Sequence, residues 1–425
     1  MTTPAPDRRP PRTVGAAALL AAASLAVAAG CRGGTDASAP AWRGSVDTLA
    51  GGTVVVRNPS TPLLDLDSAW TVETRLRLGR RQGEGPEIFG SVADVVVDGM
   101  GRIWVLDGQA QEVRVFGPDG GFVRTVGGQG RGPGELAGAI GLSRGPGGRV
   151  WALDTENARI SVFDTTGAFL RSHRRESGGY TWSWRGGFDG RGRWYDAVYV
   201  PGAAASDPPA GGFRMVRYDS MSAPPDTLPV PSSPWERQSF ELGDESRRIA
   251  ARVPFTPGVV WTLDPEGNFV VSPQRPYRIA VLSPRHDTLR VVERPWDPVP
   301  VTDEEVEAQV EELSWFTEQG GDVDRSRIPD EKPAVKDLFV DRTGHLWVLP
   351  FRPYGEVDDA WDVFDPEGRW LGRLALPVAL EPDPEPVVTS DRIVGVHTDE
   401  VGVEHVVVLA LDRGGRPRAR DRSRP

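Results

Sequence analysis

Residue types able to do chemistry are few in this 425-residue chain. Cys31 is the only thiol, and it follows Ala29 and Gly30 at the end of an uncharged apolar run from Val14 to Ala29. Asp94, Arg185 and Asp337 share one position of an internal repeat with Gly141 and Val260. If that position faces a common channel, two carboxylates and a guanidinium meet there. They could neutralise one another, or bind a cation or a polar ligand. The five histidines, His173, His286, His345, His397 and His405, fall at turns or outer-strand positions, with neither HxH nor HExxH spacing. No catalytic set is assigned from these residues, and no metal site beyond Asp94 and Asp337, which would serve if a cation binds.

The elements that position these groups come from a repeat. Residues 83 to 122 and 130 to 169 align at a constant offset of 47, taking Gly101 to Gly148, Trp104 to Trp151, Asp107 to Asp154 and Phe116 to Phe163. A single register across so many positions marks a repeated structural unit. Each unit reads as four short strands separated by Gly- and Asp-rich turns, such as Asp98 to Gly101 and Pro118 to Gly121. Degenerate copies begin at Arg185, Val260 and Asp337, and a last one carries PVVTS, RIVGVH and HVVVLAL but lacks a fourth strand. The segment Val72 to Gly79 can supply it, which predicts an all-β, six-bladed propeller closed by an N-terminal strand. The strand-like segment Val46 to Asn58 has no place in that count and is expected outside the last blade or across one face.

Two insertions interrupt the repeats, and short helices are expected near 235–250 and 302–319. In the second, Thr302 and Glu305 form a capping-box pattern, and Val306, Val310, Leu313 and Phe316 share one helical face. Such a helix would lie on the propeller and cap one end of its channel. The Asp-x-x-Gly turns and the aligned Trp104, Trp151, Tyr195 and Trp347 read as turn chemistry and inter-blade core.

The strand and turn pattern resembles NHL-like and TolB-like six-bladed propellers, and its GEGP and GRGPGE turns resemble those of bacterial propeller lipoproteins. That resemblance implies architecture over residues 46–412 rather than a particular chemistry. Six-bladed lactonases hold a channel metal, so it also raises the alternative of a cation-dependent lactonase- or esterase-like hydrolase, with Ca²⁺ the cofactor to consider. Leu25 to Cys31, LAVAAGC, resembles a lipobox. It implies a signal peptide over residues 1–30, lipid on Cys31 and a flexible tether over 31–45. With the thiol lipidated, no intramolecular disulfide forms and stability must come from burial. The expected location is the bacterial cell envelope, anchored by lipid in the outer membrane and facing the periplasm or the cell surface. A formal charge of −11 disfavours nucleic acid. The exception is an arginine-rich tail, 413–425, expected to be disordered. Partners are then the membrane, through the lipid, and an envelope protein or glycan bound by a scaffolding module.

Overall fold

A computed structural model of the chain describes residues 41–175, 186–199, 213–244 and 247–414. Cys31, Arg185, the insertion 200–212 and most of the basic tail lie outside them. The chain enters with a hairpin, β1 (Ser45–Thr48) and β2 (Val54–Arg57), then helix α1 (Leu66–Ala69) and strand β3 (Thr71–Leu78). Blade one is β4 (Val92–Val97), β5 (Ile103–Asp107), β6 (Glu112–Phe116) and β7 (Phe122–Gly127). Blade two is β8 (Ala139–Arg144), β9 (Val150–Asp154), β10 (Arg159–Phe163) and β11 (Phe169–Arg174). Blade three is β12 (Gly187–Phe188), β13 (Trp194–Tyr199), β14 (Phe213–Tyr218) and β15 (Asp226–Leu228). A separate hairpin, β16 (Ser239–Asp244) and β17 (Arg247–Arg252), precedes blade four, β18 (Val260–Leu263), β19 (Phe269–Ser272), β20 (Arg278–Leu282) and β21 (Thr288–Glu293). Helices α2 (Asp303–Glu312) and α3 (Ser314–Thr317) lead to blade five, β22 (Val335–Val340), β23 (Leu346–Pro350), β24 (Ala360–Phe364) and β25 (Trp370–Ala375). Blade six is β26 (Val387–Val388), β27 (Arg392–Thr398) and β28 (Glu404–Asp412), and β3 is its outer strand.

The architecture is therefore a six-bladed β-propeller closed by its N-terminal strand. β3 runs antiparallel to β28, with Thr71 opposite Asp412 and Leu78 opposite Val406. Successive side chains point to opposite faces, and strands such as β5 and β23 are buried throughout, so each blade presents an apolar face to each neighbour. The buried side chains fall accordingly into clusters between blades one and two, two and three, three and four, four and five, five and six, and six and one. Trp104, Trp194, Trp347 and Trp361 are fully buried in these seams.

Two expectations need correction. Val46 to Asn58 does not pack on the last blade. It forms the β1–β2 hairpin, and β2 pairs in parallel with β21, widening blade four to a six-stranded sheet. The outer edge of β21 offers free backbone groups, and Val55 and Val56 become buried there. Asn58 then ties blade four to blade five, donating to Glu293 O and Gly368 O and accepting from Trp370 N. The second correction is the helix expected near 235–250, which is the β16–β17 hairpin instead. Phe240 and Leu242 on one strand and Ile249 and Ala251 on the other repeat every two residues, the period of a strand. Both insertions share a small core of their own, in which Phe316, Val306, Val310 and Leu313 meet Phe240, Ala251 and Val253. The apolar face of α2 thus packs on this hairpin.

Candidate functional site

In each blade the inner strand starts at the face that carries the inter-blade connections, here the upper face, and ends at a tight turn on the lower face. The lower turns explain the recurrent aspartates. Asp98 accepts the N–H groups of Met100 and Arg102 at 2.8 and 3.0 Å and the Trp104 indole N–H at 3.0 Å. Asp341 does the same with Thr343, His345 and Trp347. Gly101 and Gly344 close these turns at φ 76° and 86°, where a side chain would be strained. Burial alone would raise the Asp341 carboxyl, but the bonds from His345, Thr343 and Trp347 outweigh it and hold it far below the usual range. These groups are structural. The upper GEGP and GRGP loops are fastened in a related way, by Arg114 to the carbonyls of Pro86 and Ile88 and by Arg159 to those of Gly132 and Glu135. Asn157 adds a bond to Gly130 O.

Asp94 and Asp337 occupy equivalent places on the inner strands of blades one and five, each just after a β-bulge. Gly141 in blade two follows a bulge of the same kind, so the irregularity belongs to the repeat and aims these positions. Asp94 is buried, its Oδ1 accepting Val95 N–H and its Oδ2 the Leu142 N–H of blade two, both at 2.7 Å. It stitches two inner strands together. Arg185, the third member of the proposed ring, lies outside the described residues. The other carboxylate has an acidic neighbour that the repeat alignment does not reveal. Asp383 adds its charge beside Asp337, and Glu385, from the lead-in to blade six, receives the Thr262 hydroxyl of blade four at 3.4 Å. Both residues precede the short β26 in a stretch with no counterpart in the first repeats, so alignment could not find them.

Burial pushes the Asp337 carboxyl up to about 6, with the Asp383 charge adding to it and Leu338 N–H and Lys336 opposing. The folded state therefore holds a proton there that the unfolded chain releases near pH 4, so this group's contribution to stability falls as pH rises from about 4 through 6. Asp337→Asn is expected to raise unfolding free energy by up to about 2 kcal/mol at pH 8 and by little at pH 4, read from urea titrations at the two values. An equal effect at both would contradict it. Neither carboxylate belongs to a group of three or more His, Cys, Asp or Glu side chains able to hold a metal among the described residues. With both Asp94 oxygens taken by backbone N–H groups, the donor set does not fit the six to eight oxygens that Ca²⁺ requires. The string Gly141 to Gly145 spells G-x-S-x-G, but Ser143 sits within β8, accepts Phe188 N–H, and is followed by a β-hairpin rather than the helix of a nucleophile elbow.

A half-open pocket on the upper face lies elsewhere. A cavity of ≈ 640 Å³ opens between α2, the end of β17 and the connections of blades four and five. Lys332 and Lys336, the only lysines of the chain, both line it. Lys332 is buried, pairs with the capping-box Glu305 of α2 and donates to Arg352 O at 2.7 Å. Lys336 pairs with Asp358, and Arg352 with Glu356 at 2.6 Å. Tyr354, 55% exposed, stands beside these pairs, with Phe255, Phe351 and Pro353 completing the wall. The sequence signal for this site is the confinement of both lysines to five residues of an arginine-rich chain, a pattern that base-composition bias also produces.

No protein-family model matches the chain, and neither does any curated protein. Among solved structures it is similar to a Bacteroides fragilis protein described as exported, at 12% identity over 84% of this chain and 99% of that one, with a TM-score of 0.47. Virginiamycin B lyase from Staphylococcus aureus follows at 11% identity, 80% and 99% coverage and a TM-score of 0.39. A gluconolactonase of Xanthomonas campestris gives 15%, 74%, 83% and 0.36. The class defined here is a six-bladed propeller with an insertion-roofed cavity on its upper face, and likeness at these identities extends to the fold alone.

Proposed function

We propose that this chain is a lipid-anchored propeller of the bacterial envelope that binds a glycan segment in the upper-face cavity. The observation that carries the reading is the pairing of charge around that cavity. Lys332 with Glu305, Lys336 with Asp358 and Arg352 with Glu356 present donors and acceptors side by side at no net charge, next to an exposed aromatic ring. An apolar ligand would desolvate these groups without replacing their hydrogen bonds. A highly charged one would have to break a pair. A polyhydroxylated chain suits both demands, since hydroxyls bond to fixed ion pairs and sugar faces lie against aromatic rings. The volume falls within the range of about 300–1,000 Å³ usual for sites of this kind.

The anchor is Cys31, supported by its lipobox-like context; palmitate labelling that persists in Cys31→Ala would remove this part of the reading. For the cavity, calorimetric titration with soluble peptidoglycan glycan strands and O-polysaccharide is expected to detect binding of at least one. Tyr354→Ala should weaken it about tenfold, while the urea midpoint stays unchanged because the ring is exposed. Failure of both saccharides to bind, or unchanged affinity in Tyr354→Ala, would overturn the assignment.

A further inference from the structure

The lower mouth of the channel has the opposite character to the cavity. Several arginines of the lower turns are matched to turn carboxylates: Arg102 to Asp98, Arg193 to Asp189, Arg369 to Asp365 and Arg413 to Asp341. Arg144 and Arg342 are not matched in this way. Arg144 ends the inner strand of blade two, where Gly145 stands in place of the turn aspartate. Its guanidinium lies against Gly99 of blade one, with Nη2 3.1 Å from where a Cβ on that glycine would be. Arg342 occupies in blade five the repeat position that Gly99 holds in blade one, and blades two and five stand opposite each other across the channel. Neither arginine has an ion-pair or hydrogen-bond partner among the described residues, because the adjacent Asp341 is committed to His345, Thr343, Trp347 and Arg413. Burial lowers the Arg342 guanidinium and the Arg144 charge lowers it further. The Arg342 side chain nonetheless stays open to water.

We infer that the lower mouth of the channel is an oxyanion site, in which Arg144 and Arg342 reach in from opposite blades to hold a phosphate-type dianion. Two planar forks supply paired N–H donors matched to the oxygens of such a group, and two charges match its two. The site is independent of the upper cavity and does not rest on its assignment.

Calorimetric titration of the full chain with inorganic phosphate at constant ionic strength should show a single site, with acetate binding more weakly and chloride not at all. Arg342→Gln and Arg144→Gln should each weaken phosphate at least tenfold. Because a lost arginine could act through stability, a second variant adds a group instead. Gly99→Glu places a carboxylate beside Arg144, at a turn position that holds Pro146, Pro265 or Arg342 in other blades, so the backbone accepts a side chain. It should abolish phosphate binding without lowering the melting temperature. Absence of phosphate binding in the wild-type chain, equal binding of chloride, or affinity unchanged in Arg342→Gln and Gly99→Glu would overturn the inference.

Discussion

A chain that begins at Arg80 is expected to lose cooperative folding altogether. That truncation removes β3, and with it the outer strand of blade six and the partner of β28 from Val406 to Asp412. Leu78 is lost from the seam between blades six and one, and Val72 and Trp70 from the seam between five and six. Two of six interfaces are opened by one deletion, in a fold whose net stability is expected to be about 5–15 kcal/mol. The permuted chain is the control. The structure brings Gly414 close to Ala69, a Cβ on the glycine falling 2.6 Å from the alanine carbonyl oxygen, so residues 70–79 can be joined after Gly414 by a short linker. That variant should recover a sharp urea transition. A cooperative transition in the truncated chain, or none in the permuted one, would contradict closure by β3.

Asp196→Ala is expected to cost about 3–5 kcal/mol. Asp196 lies on the second strand of blade three, and Arg175, just after the last strand of blade two, grips it with Nε at 2.6 Å and Nη2 at 3.0 Å. The same Nη2 also bonds Ala197 O at 2.7 Å. Both side chains are 1% exposed. Burial pushes the Asp196 carboxyl up, and the Arg175 bonds and charge pull against it. Removing the carboxylate leaves a guanidinium in the interior without its countercharge, whereas replacing both residues with apolar ones of similar volume should be much milder. Urea denaturation of the single and double variants measures this. A loss below about 1 kcal/mol in Asp196→Ala would show that the pair does not carry the seam.

Much of this architecture is legible in the residues. The offset of 47 located the strands of blades one and two, and the absent fourth strand of the last copy pointed to Val72 to Gly79, because an unpaired edge demands a partner wherever the chain can provide one. Parts that depend on a choice among equivalent edges were not legible. Any blade presents an outer edge, so nothing local in Val54 to Arg57 says that β21 is its partner. Asp94 and Asp337 lie on the inner strands of blades one and five, yet alignment could not say that a neighbouring strand's N–H would occupy Asp94. The cavity was least visible. Its residues come from β17, α2 and three connections distant in sequence, and insertions have no repeat against which to be read.

The central claim is that the upper-face cavity is where this propeller meets its ligand. Hydrogen–deuterium exchange of the full chain, with and without a saturating envelope saccharide, tests it most directly. The account predicts slowed exchange in α2 and α3, in the β16–β17 hairpin and in residues 351–358, with the lower-face turns unchanged. Protection confined to the lower face or to the blade edges, with α2 and 351–358 exchanging as before, would contradict it.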